Sequence, residues 1–197
     1  MHSFLTVLPA SPERWPDIAE FFVRTPCWCQ YWRVSAGEYG RGAKGRSLEQ
    51  QFALRKEALH QQLSRDTPPG VIAYLDGRMV GWCGLGRRIE MERLVRSRTI
   101  PKVDDRPVWS IVCFLVRPGY RRRGVARALL QGAIECARSY GAPALEAYPV
   151  DPAGRRIDVA FAYIGLLSMF EAAGFQKVVE TSARSAGLPR WLVRLEL

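Results

Sequence analysis

The sequence predicts an α/β fold built around a mixed sheet. Three observations carry that expectation. Strand-like and helix-like segments alternate along the chain in the order β-α-α-β-β-β-α-β-α-β-β. Val108–Val116, VWSIVCFLV, is a nearly unbroken apolar run rich in β-branched and aromatic residues, as expected of a central strand covered on both faces. Gly124–Tyr140 places apolar residues at 125, 129, 130, 133, 134 and 137, the stripe of a helix that lies on a sheet.

The remaining elements follow in order. Phe4–Leu8 alternates and reads as a first strand, and Ser11-Pro12-Glu13 opens a helix that turns Trp15, Ile18, Ala19 and Phe22 inward. CWCQYWR (Cys27–Arg33) and the Gly-rich Gly37–Arg46 read as a loop. Ser47 followed by Gln50 is a capping box that starts a helix from Leu48 to about Ser64. Val71–Leu75 and Met79–Leu85 flank Asp76-Gly77, a hairpin signal. Arg87–Arg98 is a short helix or loop. Ala144–Val150 is a strand, Val159–Ala173 a helix closed by Gly174, and Gln176–Thr181 and Trp191–Leu197 the last two strands. The 197 residues suffice for one core, so residues 1–197 are read as a single domain, with 26–46 as an aromatic and Gly-rich loop.

Composition narrows the function classes. No 18-residue apolar run exists, so no membrane span is expected. The first residues lack the basic and apolar regions of a signal peptide, and the five cysteines are an odd number, so a cytoplasmic protein with reduced thiols is expected. The net charge of +10 favours an anionic partner: nucleic acid, anionic lipid or a phosphorylated small molecule. Five of the 29 basic residues fall between Arg117 and Arg127. No nucleic-acid motif accompanies them. The only histidines are His2 and His60, and Cys27-x-Cys29 has no second Cys pair, so no metal site is expected.

The densest chemistry lies in Arg117–Leu130, RPGYRRRGVARALL. A buried strand runs through a Pro-Gly turn into a Gly-containing helix start. Such a start offers unpaired N–H groups and the positive end of the helix dipole, a place for a phosphate or pyrophosphate. Arg121-Arg122-Arg123-Gly124-Val125-Ala126 resembles the acyl-CoA-binding motif (Gln/Arg)-x-x-Gly-x-(Gly/Ala) of the GCN5-related N-acetyltransferase (GNAT) family. The strand ending CFLV, the later strand ALEAYPV and the segment LLSMFEAAGFQKV extend the resemblance over nearly the whole chain.

That resemblance implies a six- to seven-stranded mixed sheet with a V-shaped splay between its fourth and fifth strands. It implies acetyl-CoA as cosubstrate, held by the backbone of Arg122–Arg127 with Arg121 and Arg123 shaping the charge around Gly124, Val125 and Ala126. Phe114, Leu115 and Val116 would pair with the pantetheine arm in the manner of an added strand. The activity implied is acyl transfer to a primary amine of a small molecule or protein. A member that binds acyl-CoA without turnover is the alternative, and a nucleic-acid-binding protein a more distant one. A homodimer is compatible with the family.

Acyl transfer needs a base, oxyanion donors and an acid for the leaving thiolate. The family often places a Tyr acid at the head of a pattern like Tyr-Glu-x-x-Gly-Phe, where this chain has Phe170. A Phe cannot donate a proton. Tyr163, seven residues earlier and therefore on the same face of the expected helix, and Tyr148 are the substitute candidates, and Phe170→Tyr would restore activity if only the acid were missing. Glu146 is the candidate base. Trp28, Tyr31 and Trp32 are candidates for an acceptor wall, and Arg87, with its neighbour Arg88, for contact with an acidic acceptor group.

Overall fold

The computed structural model describes residues 4–39 and 45–197; the Gly40–Lys44 part of the expected Gly-rich loop lies outside the described residues. Seven strands form one sheet among them: β1 (Leu5–Pro9), β2 (Gly70–Leu75), β3 (Arg78–Arg87), β4 (Trp109–Val116), β5 (Ala144–Ala147), β6 (Gln176–Ser185) and β7 (Leu188–Glu196). Their order is β1-β2-β3-β4-β5-β7-β6. All neighbours are antiparallel except β4 and β5.

Local chemistry explains most of these boundaries. The hairpin of β2 and β3 turns on Asp76 (φ 51°) and Gly77 (φ 79°), two left-handed residues whose twist suits a two-residue connection. Helix α1 (Trp15–Phe22) buries Ile18, Phe21 and Phe22. It is preceded by a 3-10 turn, Pro12–Arg14, and the Ser11 hydroxyl accepts from Arg14 rather than capping the backbone. A short α2 (Ala36–Tyr39) precedes α3 (Leu48–Gln62), whose capping box between Ser47 and Gln50 is complete. The segment after β3 is a 3-10 turn, Arg88–Glu90, followed by α4 (Glu92–Val95).

Helix α5 (Val125–Ser139) covers one face of the sheet with Val125, Leu129, Leu130, Ala133, Ile134 and Ala137, all buried. Each large apolar side chain so buried contributes roughly 1.5–3 kcal/mol. The other face is covered by α1, the Cys27–Trp32 loop and the end of α3, packed around Trp82, Ile72 and Met91. Reciprocal amide bonds between Gln30 and Gln62, at 3.1 and 2.9 Å, tie the loop to α3. Among the described residues, no helix is long and apolar enough to cross a membrane.

The expected helix at 159–173 does not form. A 3-10 turn spans Val159–Phe161, and α6 covers only Leu167–Glu171. Between them the backbone is spent on bridging: Phe114 N–H donates to Tyr163 O at 2.5 Å, Val150 N–H to Gly165 O at 3.1 Å, and Leu167 N–H to Val150 O at 2.9 Å. Gly165 is left-handed (φ 84°), and the space a Cβ would take there is filled by the Phe170 ring, 2.6 Å away. Strand β5 is also shorter than its apolar run suggests. It stops before Pro149, and Val150 keeps only isolated bridges to Leu166 and Arg190. The last hairpin, by contrast, is longer than expected on both arms and turns on Ala186 and Gly187, both with positive φ.

Candidate active site

The parallel pairing of β4 and β5 covers only Trp109–Ile111 against Leu145–Ala147. The register of β3 and β4 shifts between Gly84 and Leu85, so Val112 is an extra residue, and past it β4 and β5 part. The resulting cleft has a volume of about 1060 Å³. One wall is the end of β4, with Leu115 and Val116. The lip is Tyr120–Arg127. The opposite wall is the broken segment, with Tyr163, Gly165, Leu166 and Met169, and Cys27 and Cys113 also belong to the lining.

The lip is an anion site built from backbone. Gly124 caps α5 in the left-handed region (φ 79°), and Arg122 before it is left-handed too (φ 60°). The first helical backbone bond runs from Ala128 N–H to Gly124 O, which leaves the N–H groups of Val125, Ala126 and Arg127 without a partner in the helix. Arg121, Arg122 and Arg127 line the cleft and meet no carboxylate among the described residues. Free amides, a helix start and unneutralised guanidiniums together fit a pyrophosphate.

Two of the expected cofactor residues behave differently. Arg123 turns from the cleft and lays its guanidinium 5.8 Å from the centre of the Tyr120 ring. Phe114 N–H is already bonded to Tyr163 O, so the edge of β4 that faces the splay opens only at Leu115 and Val116. Arg121, besides lining the cleft, returns its Nε to Val116 O at 3.3 Å.

The catalytic candidates separate clearly. Tyr163 lines the cleft, and burial raises its pKa, so the hydroxyl carries its proton at neutral pH. Tyr148 and Glu146 lie at the paired end of β4 and β5, outside the cleft lining. Tyr148 is fully buried; its hydroxyl sits 2.8 Å from Ser110 Oγ and donates to Glu146 Oε2 at 3.1 Å. Burial first, and the Glu146 charge second, push its pKa up. Glu146, 1% exposed, takes Arg194 at 2.6 Å and Arg88 at 3.6 Å. Two buried guanidiniums so placed fix the carboxylate as an ion-pair partner. Phe170 is fully buried between Phe114 and Phe175, edge-on to both rings. A Tyr there would need a hydroxyl partner inside an apolar cage, which argues against Phe170→Tyr restoring an acid.

The acceptor candidates pack rather than line. Trp28 stacks on Phe22 at 5.5 Å, and Trp32 is buried. Tyr31 stands edge-on to Trp32 and Tyr39, with the Arg93 guanidinium 4.1 Å over it. Arg87 is exposed beside Glu90, and Arg88 is committed to Glu146. Sequence reasoning missed Asp158 and Ser168, which line the cleft: Ser168 falls inside the segment read as one helix, and Asp158 sits just before it in a stretch read as loop. It missed Cys113 because that residue is buried like any core residue while still reaching the cleft wall. Burial raises the pKa of Cys27, and the Cys29 contact together with burial raises that of Cys113, so both cleft cysteines stay thiols. Among the described residues, no group of three His, Cys, Asp or Glu stands together as a metal site.

A strand splayed from its parallel neighbour beside a glycine-capped helix start defines an acetyltransferase architecture, and the comparisons agree. The acetyltransferase (GNAT) family model matches residues 28–161, and the chain belongs to that family. No curated protein matches the chain. Among solved structures, one titled as an acetyltransferase superposes with a TM-score of 0.58 at 16% identity, covering 97% of this chain and 98% of its own. YncA of Salmonella typhimurium, described as an acetyltransferase and solved with its cofactor acetyl-CoA, gives 0.54 at 16% identity, with 98% and 94% covered. PaiA N-acetyltransferase of Thermoplasma acidophilum, in complex with coenzyme A, gives 0.52 at 14%, with 98% and 99% covered. At these identities the likeness is one of fold.

Proposed function

We propose that this chain transfers an acetyl group from acetyl-CoA to an amine by direct attack within the cleft. The observation that carries the reading is the lip at Arg121–Arg127, where free backbone amides surround a left-handed Gly124 at the mouth of a splayed sheet. The pyrophosphate of the cosubstrate would sit on those amides, with Arg121 and Arg122 beside it. The pantetheine arm would follow β4 at Leu115 and Val116. Two relatives of the same fold carry acetyl-CoA or coenzyme A, which supports this choice of cosubstrate.

In the reaction a neutral amine adds to the thioester carbonyl, forming the C–N bond. The C–S bond then breaks, the amine nitrogen loses a proton, and the thiolate gains one. Tyr163 is the one tyrosine of the expected acids that reaches the cleft, and its protonated hydroxyl suits it to protonate the departing sulfur. Glu146 is tied to two arginines, so deprotonation of the amine falls to water or to the exposed Asp158 at the cleft edge. Cys27 and Cys113 are held protonated, which weighs against an acyl-cysteine intermediate.

The test is thiol release from acetyl-CoA across an amine panel, with acetyl-CoA affinity measured separately by calorimetry. Tyr163→Phe is expected to lower kcat on the order of 100-fold while acetyl-CoA affinity holds. Phe170 at the expected acid position favours a second reading, a binding module without turnover. Tight acetyl-CoA binding with no thiol release for any amine would establish that reading instead.

A further inference from the structure

We propose that Cys29 and Cys113 are an oxidant-responsive thiol pair, closed to a disulfide by a small hydroperoxide that enters through the cleft. The pair stands on its own geometry; only the protection by acetyl-CoA used in its test rests on the acetyltransferase reading above.

All five cysteines are described and free. They divide by the face of the sheet they meet. Cys83 and Cys136 belong to the core under α5, whereas Cys29 and Cys113 pack together in the core of the other face. Cys113 lies on β4 directly opposite Gly84 of β3. Cys29 lies in the loop that covers those two strands. A Cβ on Gly84 would stand 2.5 Å from Cys29 Sγ and 3.4 Å from Cys113 Cβ. The side chain that Gly84 lacks is therefore the space through which the Cys29 sulfur reaches Cys113. Trp28 and Cys29 are consecutive left-handed residues, with φ of 46° and 56°, although neither is glycine, and this uncommon turn aims Cys29 at β3.

The surroundings make the two sulfurs unequal. Trp82 Nε1 donates to Cys29 Sγ at 3.2 Å. The Cys113 thiol beside it, and then the Arg33 guanidinium and the Trp82 N–H, hold the Cys29 pKa below the ordinary thiol value. The contact with Cys29 keeps the Cys113 proton in place at rest. Cys113 lines the cleft, and Cys29 stands behind it, outside the lining. One sulfur is open to a reagent, and the other is placed to take its proton. Cys27 also lines the cleft, but burial and then the neighbouring Cys29 raise its pKa, so its sulfur lacks that assistance.

The Cys113 sulfur attacks one peroxide oxygen. The O–O bond breaks, hydroxide departs and the Cys113 proton passes to Cys29, which leaves a sulfenic acid at Cys113. The Cys29 sulfur then attacks the Cys113 sulfur, the S–O bond breaks, and the hydroxyl leaves with the Cys29 proton as water. The two sulfurs give up two electrons and the peroxide takes them. A small oxidant suits the site because Cys113 is only 7% exposed.

The test needs no turnover. The reduced protein is treated with hydrogen peroxide, quenched with N-ethylmaleimide and mapped by mass spectrometry. Free thiols should fall from five to three, with Cys29 and Cys113 in one linked peptide pair that dithiothreitol separates. Cys29→Ser should stop the reaction at a Cys113 sulfenic acid, trapped by dimedone and formed at least about tenfold more slowly. Cys113→Ser should leave Cys29 reduced over the same period. A disulfide from Cys27 to either residue, oxidation with no disulfide, or Cys29 oxidised at an unchanged rate in a Cys113→Ser variant that folds by circular dichroism overturns the pair. Where a Ser variant does not fold, the linkage mapped in the unaltered protein decides alone. Saturating acetyl-CoA should slow disulfide formation at least about tenfold by filling the cleft. Unslowed formation in protein saturated with acetyl-CoA overturns entry through the cleft. A protein that forms the disulfide yet binds no acetyl-CoA by calorimetry overturns the acetyltransferase reading and leaves the pair standing.

Discussion

Two groups of arginines in this chain have the same chemistry and opposite surroundings. At the start of α5, Arg121, Arg122 and Arg127 stand around open backbone amides and form no ion pair among the described residues. Beneath the sheet, Arg88 and Arg194 are buried on either side of Glu146, with Asp104 and the Ser110–Tyr148 hydroxyl pair completing the network. The first group is a surface charge waiting for a ligand. The second is a charge already neutralised, and its role is to hold β5 and β7 to the segment before β4. Burial and counter-charge, not residue type, decide which arginines can contribute to the positive field of the cleft.

The largest effect should come from the buried group. Glu146→Gln leaves Arg88 in the interior without a counter-charge and Arg194 with Asp104 alone. Breaking one partner of a buried pair costs about 3–5 kcal/mol. Thermal denaturation should show a drop of many degrees, and acetyl-CoA affinity of the folded fraction should be retained. A small drop would mean that water reaches this network. Asp104 adds a pH dependence. Its bond from Arg194 holds its pKa below the ordinary value. As the pH falls, the unfolded chain therefore takes up the proton first, so the stabilisation is complete above about pH 4 and is lost below it. Glu196, paired with Arg106, acts in the same direction. Melting temperatures at pH 5 and pH 3 check this, and Asp104→Asn should flatten the difference.

Next in size is the site itself. Gly124 has open space around its missing Cβ, so a side chain there meets no wall. Its φ of 79° still suits Gly, and Asn tolerates that region far better than most residues. Gly124→Glu adds backbone strain and sets a carboxylate where the pyrophosphate would lie. Acetyl-CoA affinity should fall about 100-fold, roughly 2.7 kcal/mol. Gly124→Asn should stay within a few-fold of the unaltered protein. Equal losses for Asn and Glu would show that strain, and not charge, governs the lip.

How much of this was legible in the sequence depends on how local each feature is. The capping box at Ser47, the Asp76-Gly77 turn and the α5 stripe are written within a few residues, and all three stand in the structure. The segment at 159–173 has helical periodicity and one warning, Gly165. What breaks it is non-local: Phe114 and Val150 take backbone bonds from it across the splay. That single difference separates Tyr163 from the helix face of Phe170 and brings Asp158 and Ser168 to the cleft. Glu146 and Tyr148 read as catalytic because the sequence shows their strand but not the arginines that meet them from 58 and 48 positions away in the chain, Arg88 and Arg194.

The smallest effect refines the lip. Arg123 occupies the third position of the basic run, yet it lies on Tyr120 and outside the cleft lining. Arg123→Ala should change acetyl-CoA affinity by less than about twofold, the loss expected of a screened surface charge. Arg122→Ala, which removes a guanidinium that lines the cleft, should cost about three- to tenfold, roughly 0.6–1.4 kcal/mol. It should also flatten the dependence of affinity on salt, because one fewer cation faces the phosphates. The backbone amides remain in both variants, so neither should abolish binding. If Arg123→Ala matched Arg122→Ala, the run would act as a diffuse field, and the distinction between arginines that face the ligand and those that merely surround it would fail at the one place where they are adjacent.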